Sequence, residues 1–349
     1  MTGMKIKKNR FGLLADGTKV HLYTISNGKM SVSVTDYGCI ITSIIVPDKV
    51  QKKVDLTLGF STCDGLINDT VCFGALIGRF ANRIGGASFS IDGQKYGLDK
   101  NDNGVNTLHG GFLRWEKKVW DAKAVETPYG DGICFSRRSS DGEQGFPGNV
   151  DVSVTYTLNS MNDLTLEYEA TTDKATPINI TNHAYFNLKG HNGGSVADQL
   201  LTLNCPNYLE VDDKLIPTGT LLPVEKTPFD FRSAKLIGAD LDKVGVGYDH
   251  CFCIDSYKND GMLRLAAVVE DPASKRRMEV RTTQPGIQFY AGNYIEGIRG
   301  KDGFVYHNHD ALCLETEAYP DAPNKESFPS AIVRPNEKYH QLTQYSFKF

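Results

Sequence analysis

The sequence predicts an all-β protein: one large antiparallel β-sandwich domain over residues 1–349, with few short helices. Three observations carry this. Glycine numbers 34 of 349 residues, against 14 prolines and 2 tryptophans, above the usual ~7%. Ten of these glycines follow Asp or Asn, as in Asp16-Gly17, Asp92-Gly93, Asp131-Gly132, Asn27-Gly28 and Asn103-Gly104. Such pairs readily adopt the positive φ of tight hairpin turns. Between them run segments that alternate apolar and polar, the period of a strand with one buried face. Helical spacing, by contrast, is scarce.

The elements follow in chain order. Strands are expected at 20–25, 31–35, 40–46, 119–125 and 133–138, with a short hairpin of 89–91 and 94–96 around Asp92-Gly93. A long hairpin pairs 149–158 with 163–170 through the turn Asn159-Ser160-Met161-Asn162. Its faces are set by Val150, Val152, Val154, Tyr156 and Leu158, and by Leu164, Leu166, Tyr168 and Ala170. Further strands are expected at 178–185, 200–204, 263–269, 278–282, 287–290 and 311–317. One short helix is expected over 233–244, where Leu236, Ile237, Leu241 and Val244 are spaced three or four apart. No Pro/Ser-rich linker, charge block or repeat divides the chain, so a single domain is expected despite the length.

Composition excludes several function classes. With 38 basic and 42 acidic residues the formal net charge is −4 and the pI about 6.1. No basic stripe marks a nucleic-acid binder; the run Lys5-Ile6-Lys7-Lys8-Asn9-Arg10 reads as a solvated face. No segment reaches the ~20 apolar residues of a membrane helix. The start Met1-Thr2-Gly3-Met4-Lys5 has no secretory h-region. Eight cysteines, none spaced Cys-x-x-Cys, are too few for a disulfide scaffold. Cys251-Phe252-Cys253 reads as two buried thiols on one strand face. A reduced, cytoplasmic protein follows, with no nucleic-acid or membrane partner.

Candidate chemistry gathers in six stretches: Gly78–Gly85, Leu108–Gly111, Thr181–Asn187, Gly247–His250, Cys313–Glu317 and Thr282–Gly286. His183 ends an apolar strand. A lone histidine there is most simply a group satisfied by backbone; its alternative is a general acid or base, since imidazole titrates near working pH. In Leu312-Cys313-Leu314-Glu315-Thr316-Glu317, alternation puts Cys313, Glu315 and Glu317 on one face. Burial of either glutamate would raise its pKa and tune it as a base, and alternation does not choose between them. His307-Asn308-His309 lies in a Gly/Asp/Asn-rich stretch and lacks a matching third ligand, so a loop is preferred over a metal site. Asp249-His250 receives the same treatment. There is no phosphate-binding Gly-x-x-x-x-Gly-Lys and no Gly-x-Ser-x-Gly elbow.

Taken together, the motifs resemble those of the aldose 1-epimerase (galactose mutarotase) family. They are Arg79-Phe80-Ala81-Asn82-Arg83-Ile84, Leu108-His109-Gly110-Gly111, Gly142-Glu143-Gln144-Gly145-Phe146-Pro147-Gly148, Asn182-His183-Ala184-Tyr185-Phe186-Asn187-Leu188, Tyr248-Asp249-His250, Thr282-Thr283-Gln284-Pro285-Gly286 with its continuation to Tyr290, and Leu314-Glu315-Thr316. They fall in the family's order between positions 38 and 335. The resemblance implies a galactose mutarotase-like supersandwich that interconverts the α and β anomers of free aldohexoses such as galactose and glucose, an isomerase with no cofactor and no metal. It implies His183 as general acid on the ring oxygen and Glu315, rather than Glu317, as general base on the anomeric hydroxyl. Asn82, Arg83, His109, Tyr185, Asp249 and Gln284 would hold sugar hydroxyls or support the acid. A monosaccharide is the implied partner, and a monomer or weak homodimer the expected state. Four departures stand out: Ala184 for serine, Phe80 for an aliphatic residue, Glu317 for glutamine, and Ala318-Tyr319 for Asn-Trp. Two other sugar-related readings use the same motifs: a binding protein without proton chemistry, and an epimerase of hexose 6-phosphates with Arg79 or Arg232 on the phosphate. A glycosidase, with its two carboxylates, fits less well.

Overall fold

A computed structural model describes residues 5–47 and 51–349; Met1–Met4 and the expectation drawn from them lie outside it. Strands dominate, and every pairing of named strands is antiparallel. A five-stranded sheet runs in chain order through Lys5–Leu13, Lys19–Ser26, Ser31–Thr35, Ile41–Pro47 and Lys53–Asp55. A nine-stranded sheet is ordered Asp121–Thr127, Gly130–Ser139, Val150–Leu158, Asp163–Thr172, Tyr339–Lys348, Arg277–Thr282, Arg264–Glu270, Leu200–Leu203, Lys235–Leu236. A six-stranded sheet is ordered Tyr185–Phe186, Leu312–Glu317, Gly286–Tyr290, Asp249–Cys253, Asn207–Val211, Pro217–Pro223.

The expected hairpins form in the expected register. Val154 faces Tyr168 and Tyr156 faces Leu166. Asp92 and Gly93 take φ of 51° and 80°, the mirror-image turn that suits strand twist, between Ser88–Ile91 and Gln94–Gly97. One apolar core joins the sheets. Val154, Tyr156, Leu166 and Tyr345 come from the nine-stranded sheet, Ile25, Val32 and Ile44 from the five-stranded sheet, and Phe252, Ile287, Phe289, Leu312 and Leu314 from the six-stranded sheet. Burying each such side chain contributes about 1.5–3 kcal/mol, and the burial sets which face of each strand turns inward.

Two expectations are corrected. The helix over 233–244 is a 3-10 segment, Ile237–Lys243, broken at Asp240 (φ −131°). Lys235–Leu236 is drawn into the sheet against Leu200–Leu201, and Gly238 approaches Ala197 too closely for a side chain. The α-helix found is Cys63–Ile67, capped by Thr62 Oγ1, which accepts from Gly65 N at 3.2 Å. The strand at 178–185 divides. Thr181–His183 pairs with Ala75–Ile77, while Tyr185–Phe186 pairs with Leu312–Cys313. Ala184 is the junction, and His183 sits where the two pairings part. Cys251-Phe252-Cys253 lies in the strand Asp249–Cys253, as the sequence suggests, while other strands are additional to the expected set, among them Lys5–Leu13, Ala75–Ile77, Asn207–Val211 and Tyr339–Lys348. No described helix is long and apolar enough to cross a membrane.

Candidate active site

The six-stranded sheet has two buried faces. Leu312, Leu314, Ile287 and Phe289 point into the core. One residue along, the register lines up Tyr185, Cys313, Tyr290 and Asp249 in one row, and Glu315, Gln288 and Cys251 in the next. From these rows Tyr185, Tyr290, Asp249, Glu315 and Gln288 floor a cleft of about 190 Å³. That is below the roughly 300–1,000 Å³ of drug-sized pockets and fits one small polar molecule. The stretch carrying Asn82 and Arg83 and the turn carrying His109 wall it, with Arg114, Cys72 and Tyr294. Tyr294 is 61% exposed at the mouth. The wall is tightly packed: Gly110 (φ 85°) lies so near Gly78 O that an added Cβ would come within 2.4 Å.

His183 and Glu315 meet here. His183 Nε2 lies 3.5 Å from Glu315 Oε1, and both residues are buried. The imidazole is fixed on every side. It stacks on Tyr185 (5.0 Å, 18°), and Tyr290 and His109 stand edge-on to it. Its Nδ1 lies 3.4 Å from Cys313 Sγ. Burial lowers His183 from 6.5 to about 4, and raises Glu315 well above its ordinary range, helped by Glu317 and Asp249 and opposed by Arg83. The cleft thus favours the pair in which the proton sits on the carboxyl and the imidazole is neutral.

His109, in the left-handed region (φ 54°), accepts from Asn82 N at its Nδ1 (3.1 Å). Burial, with the nearby His183, Arg114 and Arg83, pushes its pKa well down. A neutral ring that accepts at Nδ1 carries its proton at Nε2, so His109 is a fixed donor. Asp249 Oδ1 accepts from Gln288 Nε2 at 2.7 Å. Arg83 Nε meets Asp102 at 3.2 Å, which orients the guanidinium along the cleft wall. Tyr185 donates its hydroxyl to Val71 O, so it serves as a wall and a stacking surface. Asn82 Nδ2 donates to Glu317 Oε1 at 2.9 Å.

Of the residues singled out in the sequence, His183, Glu315, Asn82, Arg83, His109, Tyr185 and Asp249 line the cleft; Gln284 does not. Gln284 lies in the bend that carries the chain from the strand Arg277–Thr282 of one sheet to Gly286–Tyr290 of the other, and its Nε2 donates to Tyr339 OH at 3.0 Å. The glutamine in the cleft is Gln288. Its position was legible in the alternation Gly286, Gln288, Tyr290. Arg114 and Tyr294 lie in irregular segments and left no such signal. Arg79 is fully buried and donates to Pro147 O, Gly148 O and the Ser139 hydroxyl, while Arg232 is held by Asp230. Neither faces the cleft, which removes both phosphate partners suggested above. His307 pairs with Glu296 and His309 with Ala291 O, so the two imidazoles are held separately. Asp249 faces the cleft while His250 packs on Phe229. Among the described residues, Glu167, Glu169 and His340 do gather their ligand atoms, on the outer surface of the nine-stranded sheet. There Lys338 and His340 already pair with the two carboxylates.

Known proteins resemble this chain in sequence and fold over nearly its whole length. The sequence profile described as "Aldose 1-epimerase" matches residues 21–346. A galactose mutarotase of Mus musculus is 40% identical over 347 residues, 99% of each chain. An aldose 1-epimerase of Escherichia coli is 37% identical over 343 residues, covering 96% of this chain and 97% of its own. The crystal structure of galactose 1-epimerase from Lactobacillus acidophilus superposes with a TM-score of 0.86 at 26% identity over 99% of both chains. A sandwich of this topology, a buried His–Glu pair at its open face, and this extent of identity lead to one assignment: the chain belongs to the aldose 1-epimerase family.

Proposed function

We propose that this enzyme, an isomerase, interconverts the anomers of free aldohexoses such as galactose and glucose, with His183 as the acid and Glu315 as the base. The observation that carries this is the 3.5 Å approach of a buried imidazole to a buried carboxyl at the floor of a cleft sized for one sugar ring. Mutarotation needs a proton removed from the anomeric hydroxyl and one delivered to the ring oxygen. Each transfer contributes about 10²–10⁴-fold.

The pair carries one proton throughout. With the proton on His183, the Glu315 carboxylate takes the anomeric proton, the C1–O5 bond breaks, and the imidazolium protonates O5. The products are the open-chain aldehyde, a neutral imidazole and a carboxylic acid. That last state is the one burial favours, so the site matches the protonation state facing the open-chain sugar. Rotation about C1–C2 presents the other face of the aldehyde. His183 then recovers the O5 proton while Glu315 returns its own to O1. Arg83 and the His109 Nε2–H act as donors to oxygens gaining charge. Asp249 keeps an acceptor oxygen for sugar hydroxyls.

Polarimetry on freshly dissolved α-galactose tests the proposal. Wild type no faster than buffer, or Glu315→Gln at full rate, would sink it. Parallel rates on glucose and glucose 6-phosphate test the preference for the free sugar, which the burial of Arg79 supports. Eight free cysteines, seven of them buried, support a reducing, cytoplasmic setting. The site draws residues from position 70 to 315 of one chain, which supports a single domain acting as a monomer or weak homodimer. Size-exclusion chromatography with light scattering tests this.

A further inference from the structure

Glu317 stands two residues from the base, on the same face of the same strand. It is wholly buried, and Glu315 is 3% exposed. Among the described residues no lysine or arginine forms an ion pair with either carboxyl; the nearby Arg83 engages Asp102. Each glutamate also has one buried oxygen, Oε2, without a hydrogen-bond partner. Unpaired buried charge is costly, so the two carboxyls do not both ionise near neutrality. They are not equivalent. Glu317 Oε1 accepts the Asn82 amide, a bond that favours its carboxylate. Glu315 has His183 across the cleft to exchange a proton with.

We propose that Glu317 is a positioning residue for the catalytic proton: it takes the first negative charge of the buried carboxyl pair and thereby holds the proton shared by Glu315 and His183 in the cleft. The inference rests on the acid–base reading above. As pH rises, Glu317 ionises first; burial has already raised it to about 8, with the Asn82 bond opposing. Its charge then opposes ionisation of Glu315. Without it, Glu315 would lose its proton to solvent at lower pH, leaving a base with no acid opposite. The other groups facing the pair work in both directions. Asp249 adds to the repulsion, Arg83 relieves it, His183 is neutral, and Cys251, Cys313 and Tyr345 are kept uncharged by burial.

The test is the pH profile of kcat/KM for Glu317→Gln, whose side-chain oxygen still accepts from Asn82. The alkaline limb is expected to move down by about one pH unit, roughly tenfold in rate on that side, with the acid limb in place. An alkaline limb at its wild-type position, whatever happens to kcat, overturns the proposal. Isotope-edited infrared titration of the carboxylic-acid band reads the same groups without catalysis. Two-step loss in wild type and one-step loss in Glu315→Gln are expected, and a single step in wild type overturns it. Absence of any anomerase activity in wild type would instead strike the acid–base reading, and the infrared titration would still decide the charge order.

Discussion

Along the strand Leu312–Glu317, Leu312 and Leu314 join the apolar core, whereas Cys313, Glu315 and Glu317 turn to the opposite face, from which Glu315 lines the cleft; yet all six residues are buried. The neighbouring strand repeats the division, with Ile287 and Phe289 inward and Gln288 and Tyr290 outward. On the inner face, burial removes apolar surface from water and stabilises the fold. On the outer face it removes carboxyls and an imidazole from water. That costs stability and shifts their proton affinities towards each other. One sheet therefore spends on its outer face part of what it gains on its inner face.

Substitutions along this strand should separate the two faces. Glu315→Gln is expected to lower kcat by about 10²–10⁴-fold with no loss of thermal stability, since it removes a buried ionisable group of similar shape; polarimetry and a thermal melt read the two effects. Leu314→Ala, its neighbour, should do the reverse. It costs about 2–5 kcal/mol in denaturant unfolding, while the folded fraction keeps a kcat within a few-fold of wild type. Had both variants lost stability alike, the division would not hold. Asp249→Asn weakens an acceptor for the sugar and should raise KM about tenfold with a smaller change in kcat, seen in initial rates against sugar concentration.

The pH dependence of stability sharpens the contrast. Burial raises Glu317 from 4.5 to about 8, so the folded chain keeps a proton that the unfolded chain has lost. Its contribution is fully present below 4.5 and is lost as pH rises through about 8. Glu317→Gln should therefore gain stability over wild type between pH 5 and 8, measured as a difference in Tm that widens with pH. The smallest effect is expected outside the cleft. Gln284→Ala loses the bond to Tyr339 and about 1 kcal/mol, and leaves kcat/KM unchanged.

Much of this was legible in one dimension. Period-two alternation located the long hairpin and placed Glu315 with Glu317 on a common face, because strand geometry is local. Asp92-Gly93 announced its turn through backbone preference alone. Tyr339–Lys348 carries a shorter alternation, Thr343, Tyr345 and Phe347, too brief to mark a ten-residue strand. Gln284 shows the limit. It has the same parity as Gln288, but the bend at Thr283–Pro285 interrupts the count, so a motif residue fell outside the cleft and an unremarked one fell inside. Arg114 pairs with its neighbour Glu116 in a loop whose position depends on contacts farther along the chain, including Cys72 Sγ against the Glu116 carboxylate.

By itself, the sequence determined the all-β class, the turns, the alternating faces and the residue types able to move protons. Those depend on backbone preferences and side-chain spacing over a few residues. The tertiary structure alone decided which buried face became a core and which a cleft. It set the 3.5 Å between His183 and Glu315, and it paired the nearby Arg83 with Asp102 while Glu317 received the Asn82 amide. These depend on segments more than a hundred residues apart, brought together by burial, and no local pattern encodes the dielectric they create.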